Sequence, residues 1–384
     1  MKGSLDVRTY STNPSITQAS GFARRLPRRE YVLHYGRLVS VCRPGRALAG
    51  MPVWQWVGSQ MHHVSWHGVA HHDMIFPTFL FIAGCAFPFS LARQREKGRT
   101  TCQIVRKIII RALLLVLIGI IYNNDVRFDF ANLRYSSVLG HIGLAWMFAA
   151  LFAMAFGVRA RAAILVFLLV GYWLAMRSFH ATDIDPNADC WSMEGSLAGF
   201  VDRHVLPGHL YRDMHDPEGL FSTIPAIGTA MLGVFAGEWL RKDGVNVCGH
   251  KKAFGLILAG ALLTLIGWVW NFDMPINKNL WTSSFVCFVG GFSMAGLGIF
   301  YWIIDVVGFK WWSFPFIVIG MNSITIYLAQ KFFSFSQAAS ILFKDAIERW
   351  SPEMYQGVFN AAAYALTCWI LLFILYKCKA FIKI

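Results

Sequence analysis

The sequence has 384 residues, of which 56% are hydrophobic and only 15% are charged. Soluble domains carry about 25% charged residues, so this composition excludes an ordinary soluble protein and indicates a membrane protein. Membrane proteins concentrate Lys and Arg in cytoplasmic loops, which explains the formal net charge of +14, and no nucleic-acid partner is expected. The eight cysteines have no C-x-x-C spacing, which argues against a disulfide framework and a structural zinc site.

The N-terminal part of the sequence differs from the rest. The first 50 residues contain nine Lys or Arg, no apolar run of spanning length and no apolar core typical of a signal peptide. We therefore predict that the first 46 residues contain no spanning helix. The sequence divides into an atypical basic segment, 1–47, and one transmembrane domain, 48–384.

The transmembrane domain is predicted to be all-α, with about nine spanning helices. The apolar runs lie near 74–92, 105–122, 138–157, 162–177, 221–240, 253–270, 282–304, 313–334 and 357–376. The connections between them alternate between basic ones, such as 93–107 and 241–252, and a long acidic one, 178–220. The positive-inside rule places the basic connections and the C-terminus in the cytoplasm, so that the first span begins on the outer side.

A cluster of five histidines precedes the first span: His62, His63, His67, His71 and His72. In a helix, His63, His67 and His71 would share one face, as zinc ligands do. Gly68 weakens such a helix, and we expect no metal site. A neutral imidazole can instead act as a general base or as a nucleophile. For Asp73 the sequence leaves two interpretations open, an orienting partner of a histidine ring and the N-cap of the first spanning helix.

Four motifs in register along the chain carry a resemblance to a known family. They are His63-Val-Ser-Trp-His-Gly followed by Asp73-x-x-Phe-Pro-x-Phe-x-Phe-x-x-Gly, then Asp216-Pro-Glu-Gly-Leu, Asn277-Lys-Asn-Leu-Trp and Gly320-Met-Asn-Ser. Over roughly residues 48 to 376 the sequence resembles the heparan-α-glucosaminide N-acetyltransferase family. The resemblance implies a transmembrane acyltransferase domain over 48–384.

The resemblance also implies a reaction. The family takes an acetyl group from cytosolic acetyl-CoA, which is a co-substrate, and places it on the amine of a glucosamine on the far side of the membrane. The active-site histidine of the family matches His63, and Asp73 is the second catalytic candidate. Whether the histidine carries the acetyl group covalently or acts as a base in a ternary complex is left open.

Two sets of residues are candidates for binding the substrates. Those for the amino sugar are Trp66, Asp216, Glu218, Asn277, Lys278, Asn279, Asn322 and Ser323. Amides and an ammonium group suit sugar hydroxyls, and carboxylates suit an amine, but a polar turn, a helix start and interhelical hydrogen bonds are structural alternatives for these residues. The cations expected on the inner face, as partners of the CoA phosphates, are Arg106, Lys107, Arg111, Arg159 and Arg161.

Other functions stay open alongside this one. They are an O-acyltransferase of a surface glycan and a sugar permease, although a permease would show paired broken helices in two related halves. The expected partners are an amino-sugar or glycan acceptor and the lipid bilayer, and a homodimer is a further hypothesis. The expected location is a membrane, the inner one if the protein is bacterial. Relatives begin with a spanning helix carrying a Leu-Asp-x-x-Arg-Gly-like motif, whereas the matching place here, 24–50, is basic, either because of a shifted frame or start or because it is a real arm lying on the membrane.

Overall fold

The structure is a computed structural model that describes residues 52–124, 132–242 and 248–381. The basic segment 1–47, with the prediction that its first 46 residues contain no spanning helix, lies outside the described residues. Within them the chain is helical, without a β-sheet, which confirms the all-α prediction. The helices are α1 (Pro52–Gln60), α2 (His71–Glu96), α3 (Thr101–Asn124), α4 (Val138–Ala155), α5 (Val158–Ser178), α6 (Leu197–Val205), α7 (Thr223–Arg241), α8 (Gly249–Trp270), α9 (Ser283–Tyr301), α10 (Phe314–Met321), α11 (Ser323–Phe332), α12 (Phe335–Trp350) and α13 (Gln356–Lys377).

Seven of the described helices are long and apolar enough to cross a membrane, namely α2, α4, α5, α7, α8, α9 and α13. The pair α10 and α11 forms an eighth candidate, which is bent by 60°. The predicted run 313–334 is therefore a broken helix, because the backbone at Asn322 leaves the helical conformation. The remaining predicted run, 105–122, lies on α3. This helix is not among the candidates, because Arg106, Lys107 and Arg111 interrupt its first half and its uninterrupted apolar stretch begins only at Ala112.

The helix α12 is a feature that the apolar runs did not predict. It follows the broken pair and spans 16 residues, but its apolar side chains alternate with charged ones such as Lys344 and Glu348. A helix of this kind has one apolar face and too little total apolarity to cross a membrane. It packs along α13.

The helix α7 lies at the centre of the bundle, where it contacts α2, α4, α5 and α9 and is mostly buried. The backbones of α2 and α7 approach so closely that no side chain fits at Gly84, Gly233 or Gly237. A Cβ atom at residue 233 would lie 2.0 Å from the carbonyl oxygen of Phe81. Small residues allow such close contacts between helices in membranes. The contact fixes the first turn of α2 relative to the segment that leads into α7.

We expect Gly233→Ala to weaken this contact, because the added methyl group forces the two backbones apart. Overpacking typically costs about 1–3 kcal/mol, so the melting temperature in detergent should fall by several degrees. Gly171→Ala in α5 is the matched control, since a Cβ atom there meets no neighbouring atom within 4 Å. Equal melting temperatures for the two variants would contradict the described packing.

Candidate functional site

The carboxylate of Asp73, in the first turn of α2, organises the loop that carries the histidines. Its Oδ1 accepts a hydrogen bond from Nδ1 of His63 at 2.5 Å. Its Oδ2 accepts the backbone N–H groups of Val64 and Ala70, each at 3.2 Å. Asp73 is 1% exposed, so the loop 61–70 folds around it. Asp73 is therefore the orienting partner of the His63 ring. It is not the N-cap, which is Ala70, but as the third residue of α2 it accepts the N–H of Ala70 and so closes the start of the helix.

Lys278 brings a positive charge to this pair. Its Nζ lies 3.6 Å from Oδ1 of Asp73 and 3.4 Å from Nδ1 of His63. Burial lowers the pKa of Lys278, and the charge of Asp73 opposes that shift. The side chain of His63 is 48% exposed, whereas that of Asp73 is 2% exposed. The result is a buried ion pair with an imidazole that faces solvent.

The turn between α8 and α9 positions Lys278. Within it, Oδ1 of Asn277 accepts the backbone N–H of Leu280 at 3.1 Å, and Oγ1 of Thr282 accepts that of Asn277 at 3.0 Å. Trp281 closes the turn with φ of 50°, a left-handed conformation that is uncommon for a bulky residue, and its side chain is fully buried. These hydrogen bonds and the buried Trp281 side chain fix the turn, and so they fix the position of Lys278.

Two of the predicted sugar-binding amides contribute to this framework. Asn277 is fully buried, and its Nδ2 lies 3.4 Å from Nδ1 of His67. The backbone oxygen of Asn279 accepts a hydrogen bond from Nε2 of His215 at 2.9 Å. The backbone N–H of Gly68 also donates to the oxygen of Ile276 at 2.8 Å, which joins the histidine loop to the turn. The structural alternative for Asn277 is thus realised.

A second charged cluster contains Asp216 and Glu218. The guanidinium group of Arg134 binds both oxygens of Asp216, at 2.7 and 2.8 Å, and Oε2 of Glu218 at 2.5 Å. Burial alone would raise the pKa of Asp216, but hydrogen bonds from Arg134 hold it below its ordinary value, while burial raises the pKa of Glu218. Both carboxylates were predicted to bind the amine of a substrate. Arg134 already occupies them and would compete with that amine. The charge of Glu218 also acts on Lys278, so the two clusters adjoin.

Arg134 was missed by the sequence analysis. It lies in the connection between α3 and α4, 82 residues before Asp216. The available signal was an arginine in a connection that the charge rule places on the outer side, where cations are uncommon. The backbone of Arg134 is held by the side chain of Asn124, and its guanidinium group lies 4.6 Å from the ring centre of Tyr211.

The remaining histidines of the cluster do not form the helical face that a zinc site would use. Residues 61–70 are not helical, so His63 and His67 do not stack above one another, and His71 is the first residue of α2. The ring of His72 packs against that of His63 with 4.3 Å between their centres. Among the described residues, no group of three or more His, Cys, Asp or Glu side chains is placed to hold a metal ion.

Trp66 and the pair at the helix break lie in different places. The indole N–H of Trp66 donates to the backbone oxygen of Trp191 at 2.8 Å, and its ring meets that of His215 edge-on. Trp66 belongs to the same loop, 61–70, as His63. Asn322 and Ser323 lie where α10 ends and α11 begins, and the described contact of the Asn322 side chain is local, with Thr325. The described contacts do not join this pair to the His63 cluster.

The five cations predicted for CoA lie on α3 and α5. Arg161 is buried and paired with Glu238 at 2.9 Å, and Arg111 packs 4.7 Å from the ring centre of Trp146. These two cations have structural partners in the bundle. The exposed cations of the set are Arg106, Lys107 and Arg159.

Comparison with known proteins identifies the family. The family model described as "Heparan-alpha-glucosaminide N-acetyltransferase, catalytic" matches residues 52–268, which is more than half of the chain. The chain belongs to this family. The match includes His63, Asp73, Asp216 and Glu218, whereas Lys278 lies beyond its end.

Two curated relatives give the same assignment over a longer stretch. The heparan-alpha-glucosaminide N-acetyltransferase of Mus musculus is 29% identical over 382 residues, which cover 84% of this chain and 56% of that protein. The human protein of the same name is 28% identical over 378 residues, covering 84% and 55%. The family member described here thus spans about half the length of these relatives.

Asp202 on α6 is a buried carboxyl group that holds the backbone next to the cluster of Asp216 and Glu218. Its Oδ1 accepts the backbone N–H of Leu220 at 2.9 Å, in the segment that also carries Asp216 and Glu218. A Cβ atom at Gly219 would lie 1.9 Å from Oδ2, so the backbone must lie directly against the carboxyl group. Burial raises the pKa of Asp202 to about 7.

We expect this raised pKa to make stability depend on pH. The carboxyl group titrates near 3.8 in the unfolded chain and near 7 in the folded protein, so its favourable contribution is complete below about pH 4 and is lost as the pH rises through about 7. Asp202→Asn keeps the acceptor but cannot ionise. The melting temperature of the wild type minus that of Asp202→Asn should therefore fall between pH 4 and pH 7.

The control for this measurement is Asp185→Asn, which removes an exposed carboxylate from the connection between α5 and α6, just before the helix that carries Asp202. A difference between wild type and Asp202→Asn that stays constant over this pH range, or that matches the control, would show that the burial of Asp202 does not govern its ionisation.

Proposed function

We propose that the protein is a membrane-embedded acetyltransferase that moves an acetyl group from acetyl-CoA to the amine of a glucosamine-type sugar. Membership of the family and the names of its curated relatives support the reaction class. The observation that carries the proposal is the 2.5 Å contact between Nδ1 of His63 and buried Asp73, with Lys278 beside it. This is the arrangement of a base whose ring is held by a carboxylate.

The contact determines which nitrogen of His63 reacts. A carboxylate accepts hydrogen bonds, so Nδ1 carries the proton that is donated to Asp73, and Nε2 is left as the basic nitrogen. In the proposed reaction the amine nitrogen attacks the thioester carbonyl carbon, the new C–N bond forms, and the C–S bond breaks. Nε2 takes the proton from the amine and returns it to the departing thiolate of CoA. The carboxylate of Asp73 stabilises the imidazolium while it exists.

Lys278 has a different role in the proposal. Negative charge develops on the carbonyl oxygen when the amine attacks, and an ammonium group in a partly buried position stabilises such charge more strongly than one in water. The side chain of Lys278 is 16% exposed and lies beside Nδ1 of His63. Asp73 offsets the cost of burying this cation.

The proposed sidedness follows from the alternating charges of the connections. The His63 cluster then lies on the outer side, where a sugar acceptor arrives, and the exposed cations Arg106, Lys107 and Arg159 lie on the cytoplasmic side, where CoA is found. The C-terminus is cytoplasmic in this arrangement, in which α3 also crosses the membrane beside the eight candidates. Nε2 serves equally as the base of a ternary complex and as the atom that carries an acetyl group, so the proposal includes both routes.

We predict that His63→Ala abolishes acetyl transfer. Loss of an acid–base residue typically costs about 10²–10⁴-fold in rate. His62→Ala and His71→Ala are the controls and should keep most of the activity, because both rings lie outside the contact with Asp73. The assay follows labelled acetyl from acetyl-CoA to glucosamine in proteoliposomes. An equal loss in all three variants, or full activity of His63→Ala, would refute the assignment of the base.

The same assay separates the proposed function from its alternatives. An O-acyltransferase would label a sugar whose amine is replaced by a hydroxyl as readily as it labels glucosamine. A permease would move labelled sugar into the liposomes without consuming acetyl-CoA. Labelling that requires the amine supports the N-acetyltransferase.

A further inference from the structure

His215 is a fully buried histidine outside the set of five that precedes the first span. It lies in the segment between α6 and α7, directly before Asp216. Its Nε2 lies 2.9 Å from the backbone oxygen of Asn279, in the turn between α8 and α9. Its ring meets the indole ring of Trp66 edge-on, with 5.6 Å between the ring centres. One side chain therefore joins three segments of the candidate site, namely its own, the histidine loop and the turn between α8 and α9.

The surroundings of His215 determine which of its ring nitrogens carries a proton. A carbonyl oxygen only accepts hydrogen bonds, so Nε2 carries a proton and donates it to the backbone oxygen of Asn279. Burial lowers the pKa of His215 to about 4, so the ring is neutral at pH 7. Nδ1 is therefore unprotonated, and it is buried without a hydrogen-bond partner among the described residues. A second proton, on Nδ1, would have no acceptor there.

The backbone on both sides of the His215 ring is held by hydrogen bonds of its own. The guanidinium group of Arg203, on α6, donates to the backbone oxygen of Met214 at 2.8 Å. The backbone N–H of Arg212 donates to the backbone oxygen of His215 at 3.1 Å. The ring is therefore attached to a fixed segment, from which it can hold the turn between α8 and α9.

The hydrogen bond from His215 acts on the part of the turn that carries Lys278, because Asn279 directly follows the lysine. Nζ of Lys278 lies 3.6 Å from Oδ1 of Asp73 and 3.4 Å from Nδ1 of His63. Displacing a group of an active site by about 1 Å can lower the rate about 100-fold. A residue that fixes the backbone beside Lys278 therefore affects the reaction without touching the substrate.

We propose that His215 is a positioning residue for acetyl transfer, which keeps the ammonium group of Lys278 beside the His63–Asp73 pair through its hydrogen bond to the turn. The inference rests on the proposed acetyltransferase function, in which Lys278 stabilises the charge that develops on the carbonyl oxygen. His215 takes no part in proton transfer to the substrate, because its ring is fully buried. Its loss lowers kcat by displacing Lys278.

The test compares two substitutions of His215 in the proteoliposome assay. His215→Leu has a side chain of similar size but no donor for the backbone oxygen of Asn279, whereas His215→Gln places an amide N–H at about the reach of Nε2. In His215→Leu, kcat should fall at least about tenfold while KM for glucosamine stays within about threefold, because the lost interaction is one made in the transition state. His215→Gln should keep at least about a third of the wild-type kcat, because it restores the hydrogen bond.

His204→Leu is the matched control. His204 is exposed on α6, and its Nδ1 lies 2.9 Å from the backbone oxygen of Phe200, so it too contacts a carbonyl group, but one outside the candidate site. This variant should keep the wild-type kcat. A wild-type kcat in His215→Leu, or an equal fall in His204→Leu, would overturn the proposal.

A double-mutant cycle with Lys278→Met decides whether His215 acts through the lysine. Without Lys278 there is no ammonium group to position. His215→Leu should therefore lower kcat less than about twofold in the Lys278→Met background, against the tenfold fall in the wild-type background. Losses of kcat that multiply would overturn the proposal, because His215 would then act by another route.

Thermal unfolding of the four proteins of the cycle, without acetyl-CoA, separates this inference from the proposed function. Both single substitutions disturb the contact between Lys278 and Asp73, so their falls in melting temperature should sum to more than the fall of the double variant. If the wild type acetylates no sugar while the falls are non-additive, the proposed function fails and the positioning by His215 stands. If the wild type acetylates glucosamine and the losses of kcat multiply, the function stands and the inference is refuted. An inactive wild type with additive falls refutes both.

Discussion

One buried carboxylate, that of Asp73, holds the candidate site together. It accepts hydrogen bonds from the His63 ring and from two backbone N–H groups of the histidine loop, and it pairs with the charge of Lys278. A charge removed from water is costly unless it is paired and hydrogen-bonded, so each of these contacts stabilises the others. Because Asp73 lies in the first turn of α2, the loop, the turn between α8 and α9 and the central helix pair meet at one point.

The cluster of Arg134, Asp216 and Glu218 is also a set of buried charges that are paired with one another, and it lies in the segment before α7. Arg134 forms ion pairs with both Asp216 and Glu218, and Asp202 accepts the backbone N–H of Leu220. Removing one member of a buried ionic cluster typically costs about 3–5 kcal/mol, because the partner charge stays buried. The close α2–α7 contact holds together the helices to which both clusters are attached. The result is a charged surface at the ends of apolar helices, beside which the His63 ring is exposed.

Much of the fold was predictable because a membrane demands long apolar helices. Eight of the nine predicted runs each lie mainly on one helix, and 313–334 covers the broken pair α10 and α11. The bend at Asn322 was not predictable from apolarity, since both of its flanks are apolar. The His63–Asp73 pair was within reach of sequence reasoning because ten residues separate the two side chains. Arg134 was not, because its partners Asp216 and Glu218 lie 82 and 84 residues away and only the packing of helices brings them together.

Two local patterns show how the backbone uses polar side chains. His63 and His67 would share a face only in a helix, and the carboxylate of Asp73 instead folds this stretch into a loop. The motif around Asn277 reads as a sugar-binding turn, but the amide is consumed in forming the turn that positions Lys278. In both cases a polar side chain satisfies the backbone first, and only the groups left over are available to a substrate.

The most direct test of the account is the effect of Asp73→Asn on acetyl transfer from acetyl-CoA to glucosamine in proteoliposomes. The amide is nearly the same size as the carboxylate but has no charge to hold the imidazolium or Lys278. We expect a fall in kcat of at least about 100-fold, with a protein that still folds and binds glucosamine. A kcat within threefold of the wild type would contradict it, because His63 would then act without the contact on which the site is built.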